Sequence, residues 1–168
     1  MPSRNELHKY QQRMINFIYT TPKCALWAGL GLGKTITTLT AIVDLIDSMV
    51  VSKVLIVAPL RVANSVWHVE AARWQHTKHL KFSIVTGSEK ERLAALHKTA
   101  DIYVINRENV TWIVEHYAKK WPFDMIVLDE ASSFKSSSSQ RFKSLRKTIP
   151  FTNRLVELTG TPSPNGLL

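Results

Sequence analysis

Six short apolar runs, bounded by turn residues or acids and separated by helical patterns, constrain this chain more than any other feature. The runs are Cys24 to Trp27, Val54 to Ala58, Phe82 to Val85, Ile102 to Ile105, Met125 to Leu128 and Leu155 to Leu158. Between them lie segments whose apolar residues recur at helical spacing. Leu7, Tyr10, Met14, Ile15 and Ile18 form one such face, which Thr21-Pro22 ends because the residue before proline avoids the helical region. Further helices are expected over Thr35 to Ser48, Val62 to Trp74, Glu89 to His97, Asn109 to Tyr117 and Ser137 to Thr148. A strand that is apolar throughout must be covered on both faces, which is the condition of a parallel sheet. The expectation is an α/β fold: one doubly wound parallel sheet sandwiched by helices. Ligands in such sheets bind beyond the carboxyl ends of the strands.

The chain of 168 residues is the size of one domain, and 45% hydrophobic content is enough to build a core. No apolar run approaches the ~18 residues that a membrane span needs, and Met1 to Gln12 has no secretory apolar segment. The single cysteine, Cys24, allows no internal disulfide and fits a reducing, cytoplasmic setting. The net charge of +9 favours polyanionic partners. Much of that excess sits between Ala131 and Arg154, where Lys135, Arg141, Lys143, Arg146, Lys147 and Arg154 occur without a single acid.

The residues Ala28-Gly29-Leu30-Gly31-Leu32-Gly33-Lys34-Thr35 follow a strand and open a helix. Glycines there let backbone N–H groups turn inward around phosphate oxygens, at the positive end of the helix. In this arrangement Lys34 reaches the outer phosphates of ATP and the Thr35 hydroxyl ligates Mg²⁺. Ala28 stands where the common pattern begins with glycine. At the end of another apolar run, Asp129 is placed to hold Mg²⁺ and Glu130 to orient and deprotonate an attacking water. Leu158-Thr159-Gly160-Thr161-Pro162 sets two hydroxyls about a glycine at the last strand end, where they can sense the phosphate site. The five tryptophans fall mostly in apolar patterns and are expected in the core. His76 and His79, with no cysteine or third ligand nearby, read as surface residues rather than metal ligands.

Taken in order, Gln11, the Ala-x-x-Gly-x-Gly-Lys-Thr type loop, Asp-Glu-Ala-x and Thr-Gly-Thr-Pro resemble superfamily two helicases, especially the Swi/Snf-type DNA translocases. The resemblance runs from Leu7 to Asn165, with a short, insertion-free lobe most like bacterial and phage relatives. It implies one RecA-like P-loop NTPase lobe over residues 1–168, the first of two, with the second absent from this chain. It further implies that Gln11 reads adenine and that Ser132, Thr159 and Thr161 couple hydrolysis to DNA binding. Relatives often carry histidine or aspartate where Ser132 stands. By resemblance, Pro59, Leu60, Gly87, Asn106 and Lys135 lie on the DNA side, and Arg61 adds the best-placed cation there. The expected partners are double-stranded DNA, gripped without sequence preference, and a second RecA-like lobe whose arginines complete the ATP site. An arginine at the γ-phosphate is worth about 10³–10⁵ in rate. The lobe alone is therefore expected to be nearly inactive. Two other readings stay open: a self-contained P-loop NTPase such as a small kinase, which leaves Gln11 and Thr-Gly-Thr-Pro unexplained, and a non-catalytic nucleic-acid-binding module.

Overall fold

The computed structural model describes residues 1–27, 33–131 and 139–160. Six strands form one sheet in the order β1-β6-β5-β2-β4-β3, and every neighbouring pair is parallel. The strands are β1 (Lys23–Trp27), β2 (Val54–Ala58), β3 (Phe82–Val85), β4 (Ile102–Asn106), β5 (Met125–Asp129) and β6 (Arg154–Thr159). The helices are α1 (Lys9–Thr20), α2 (Lys34–Asp47), α3 (Leu60–Ser65), α4 (Trp67–Ala72), α5 (Glu89–His97), α6 (Val110–Tyr117) and α7 (Ser139–Arg146).

The continuous apolar runs divide by alternation, because successive side chains of a strand point to opposite faces. Val54, Ile56 and Ala58 join Ile102, Val104, Met125, Val127, Val156 and Leu158 in one layer, beneath α1, α2 and α4. Leu55 and Val57 join Tyr103, Ile105, Ile126, Leu128 and Leu155 in the other, beneath α6 and α7. All five residues of β2, β4 and β5 are buried. The three strands thus form the doubly covered centre that their composition demands.

Three local expectations are corrected. The helix expected over 62–74 is two helices, broken at Val66, whose φ and ψ are −110° and −59°. The Ser65 hydroxyl donates to the Arg61 carbonyl at 2.7 Å, a back-bond that bends helices, and Val66 is β-branched. In the first helical face, Leu7 is buried but precedes α1, and Tyr10 is 40% exposed. Gln11 takes the buried place instead. His76 is half-buried, not a surface residue, with its Nε2 2.7 Å from the Thr40 hydroxyl; His79 is exposed. Burial and the nearby Arg4 charge hold the His76 pKa below its usual value, so the imidazole is neutral at pH 7. Of the tryptophans, Trp67 and Trp121 are buried and Trp27 is 61% exposed.

Cys24 lies buried on β1. Burial, with the Glu157 carboxylate nearby, raises its thiol pKa to about 11 against the opposing pull of Arg154. Since only the thiolate reacts, native protein should be alkylated by iodoacetamide about 100-fold more slowly than the unfolded chain at mildly alkaline pH. Equal rates would show that β1 opens faster than the reagent attacks.

Candidate nucleotide site at the carboxyl edge of the sheet

The strand order brings the sequence motifs together. β1, β6 and β5 are neighbours, with Trp27 paired to Thr159 and Leu158 to Asp129. The entry to the glycine-rich loop, the Thr-Gly segment and the Asp-Glu pair therefore end on three adjacent strands. A hydrogen bond from the Trp27 indole to the Gly160 carbonyl, 3.0 Å, ties two of these ends together.

Gly33 caps α2 with φ +70°, a left-handed conformation open to glycine at little cost. A Cβ there would fall 2.3 Å from Gln11 Nε2, so a side chain at this position would displace the Gln11 amide. The Gln11 amide is committed to the protein on both sides. Its Oε1 accepts from the His8 N–H at 2.8 Å, and its Nε2 donates long bonds to the Gly33 carbonyl (3.4 Å) and the Thr37 hydroxyl (3.3 Å). Gln11 thus braces the loop end against α1. Beside it opens a cavity of about 310 Å³, lined among others by His8, Tyr10, Gly33, Glu70 and Trp74. The His8 and Tyr10 rings stack there, 5.8 Å apart and 8° from parallel. A larger groove of about 580 Å³, between α1 and α2, contains no motif residue.

Lys34 opens α2, and its Nζ lies 3.0 Å from Asp129 Oδ1. The Asp129 side chain is only 3% exposed. Its other oxygen, Oδ2, accepts from the Trp67 indole N–H at 3.0 Å. The Lys34 contact is an ion pair by distance, yet among the described residues Oδ1 has no partner in hydrogen-bonding geometry. A buried carboxylate oxygen with a free lone pair, beside a lysine and the first turn of a helix, fits a divalent cation held by Asp129 and Thr35. Glu130 follows with φ +58°, a conformation that costs a non-glycine residue about 1–3 kcal/mol and that gathers at functional sites.

The remaining strand ends, those of β2, β4 and β3, carry the residues that the resemblance sets on the DNA side, Lys135 excepted. Pro59 caps α3, and Leu60 and Arg61 are exposed. Gly87 has φ +90°, and its carbonyl accepts from Arg92 at 2.7 Å. Asn106 is buried; its amide donates to Glu108 at 2.9 Å and its oxygen accepts from Asn109 at 2.8 Å. Thr159 is buried at the end of β6. Gly29, Leu30, Gly31, Leu32, Ser132, Lys135 and Thr161 lie outside the described residues. Sequence reasoning missed the contacts of Trp67 and Trp27. The available signal was chemical: a tryptophan in an apolar pattern still needs a partner for its N–H.

A six-stranded parallel sheet covered by helices, with Gly33-Lys34-Thr35 opening a helix across from a strand-end Asp-Glu pair, defines a RecA-like P-loop lobe. The chain belongs to the SNF2-related domain family, whose model matches residues 10–168. It is 40% identical over 166 residues to protein p41 of Acyrthosiphon pisum secondary endosymbiont phage 1, covering 95% of this chain and 36% of that one. It is 30% identical over 175 residues to the mouse (Mus musculus) DNA excision repair protein ERCC-6-like, covering 96% of this chain and 14% of that protein. This chain therefore spans about a third or less of these relatives. Among solved structures, it matches the Sulfolobus solfataricus SWI2/SNF2 ATPase core in complex with dsDNA. The TM-score is 0.77 and the identity 23%, over 94% of this chain and 32% of that one.

Proposed function

We propose that this chain is the ATP-binding first motor lobe of a DNA translocase, one that couples ATP hydrolysis to movement along double-stranded DNA. The observation that carries the proposal is the Lys34–Asp129 pair, which joins the start of α2 to the end of β5. In this reading Gly29, Leu30, Gly31, Leu32 and Gly33 wrap the phosphates, and Lys34 neutralises the outer ones. Gln11 borders the base cavity. Asp129 and Thr35 hold Mg²⁺, which screens the phosphate charge when bound. Glu130 orients the attacking water and takes its proton. Ser132, Thr159 and Thr161 relay the state of the phosphate site.

The same carboxyl edge divides by strand order into a nucleotide half (β1, β6, β5) and a half for the DNA backbone (β2, β4, β3). On the second half Pro59, Leu60, Arg61 and Gly87 face the phosphates, and the resemblance adds Lys135 to the same role. Asn106 joins them, its amide oriented by Glu108 and Asn109. Such contacts grip phosphate without reading bases. The excess of positive charge supports that partner. A second RecA-like lobe in the same protein supplies the arginines of the ATP site, and the phage relative supports a bacterial or phage-infected cytoplasm as the setting.

Calorimetry with ATP and magnesium tests the nucleotide half. Binding is expected for the native chain and should be lost in Lys34→Ala; absence of heat from both would overturn the proposal. For the DNA half, affinity for a short duplex should fall at least ten-fold between about 50 and 200 mM salt. Arg61→Ala should reduce the slope of log affinity against log salt by about one. An affinity indifferent to salt would remove DNA as the partner.

A further inference from the structure

We infer that Trp67 is the positioning residue for the Asp129 carboxylate: its indole N–H fixes which oxygen faces the nucleotide. The inference rests on the reading of Asp129 as the metal-binding acid and goes beyond it by naming what orients that acid. Asp129 ends β5, where an unrestrained carboxylate can rotate about its two side-chain torsions. The 3.0 Å bond from Trp67 Nε1 to Oδ2 fixes one oxygen, so that Oδ1 is turned toward Lys34. Trp67 is itself held by packing. It is fully buried, it packs in the core layer with Ile56 and Val127, and it is the first residue of α4. The helix break at Val66 immediately precedes it. A neutral indole donor suits the role better than a cation. It satisfies one lone pair without competing with a divalent ion for the carboxylate's charge.

Partners that orient a metal-binding side chain commonly contribute 10–100-fold to metal affinity. Trp67→Phe keeps most of the ring's bulk and removes the donor. Manganese binding in the presence of ADP, followed by electron paramagnetic resonance, should weaken by about 10–100-fold in this variant. ADP affinity without divalent ion should change less than two-fold, because Lys34 and the loop remain. A merely structural tryptophan would lower the melting temperature and leave manganese affinity alone. Asp129→Asn serves as the reference and should abolish the manganese-dependent component. If Asp129→Asn loses manganese but Trp67→Phe binds it like the native chain, the inference is overturned and the site assignment stands. If neither variant loses manganese, the metal reading of Asp129 fails and takes the inference with it. Should Trp67→Phe not fold, the assigned Trp67 indole N–H resonance of ¹⁵N-labelled protein decides. It is expected to move when Asp129 becomes Asn and when magnesium and ADP are added, and an unmoved resonance overturns the inference.

Discussion

Glu130→Gln is expected to slow ATP hydrolysis by about 10²–10⁴-fold while leaving ATP affinity unchanged. The substitution keeps shape and hydrogen-bonding reach but removes the ability to accept a proton. Two features support the proposed role of Glu130 as the base rather than as a metal ligand. It follows the buried Asp129, which already faces Lys34, and its φ of +58° turns the backbone out of the strand direction. That conformation is held by its neighbours, since Asp129 and Ala131 are both buried. Met49 and Ala118 share a positive φ, so it is the position of Glu130 directly after Asp129 that gives its conformation weight. The measurement is single-turnover hydrolysis with saturating duplex DNA and, in line with the proposed function, a second RecA-like lobe supplied, whose arginines would raise the rates being compared. Hydrolysis by Glu130→Gln within a few-fold of the native rate would assign the proton transfer elsewhere.

The sheet was readable in the sequence because its signal is simple. Runs such as Val54 to Ala58 and Met125 to Leu128 are apolar at every position, and that admits few structures other than a strand covered on both faces. The strand order was not readable. Parallel strands joined by helical crossovers can be arranged in many ways, and the placement of β6 between β1 and β5 depends on packing between residues more than a hundred positions apart. The motif residues were found by type and spacing, and the structure places Lys34 against Asp129. The contacts of Gln11 and Trp67 escaped because they depend on orientation. Gln11 could have faced solvent on its helix; it is buried because the His8 N–H, the Gly33 carbonyl and the Thr37 hydroxyl satisfy its amide. Nothing in a pattern of apolar spacing signals such a bond. The break at Val66 is similarly local, since Val62 to Trp74 keeps helical spacing across it.

Phe123→Ala is expected to destabilise the fold by about 3–5 kcal/mol without altering nucleotide affinity in the molecules that remain folded. Phe123 is 1% exposed and lies just before β5, at the opposite end of that strand from Asp129. Its ring meets three others edge-on: Trp121 at 5.1 Å, Tyr103 at 5.5 Å and Tyr117 at 5.7 Å. Tyr103 is anchored in turn by its hydroxyl, which donates to the Lys98 carbonyl and accepts from the Ala100 N–H. This aromatic knot joins β4, α6 and β5, so a void at its centre cannot close without moving three elements. Cavity formation rather than loss of any one ring pair sets the size of the effect, because the pair energies of about 0.5–1.5 kcal/mol are not additive among neighbours. For a domain of this length the loss corresponds to a fall in melting temperature of roughly 6–20 °C. Against a total stability of about 5–15 kcal/mol, that is a large fraction. Thermal denaturation beside ATP calorimetry on the same variant checks both halves of the statement. A melting temperature within a degree or two of the native value would mean that the knot relaxes to fill its own void. A weakened ATP affinity at unchanged folded fraction would mean that the two ends of β5 are mechanically linked.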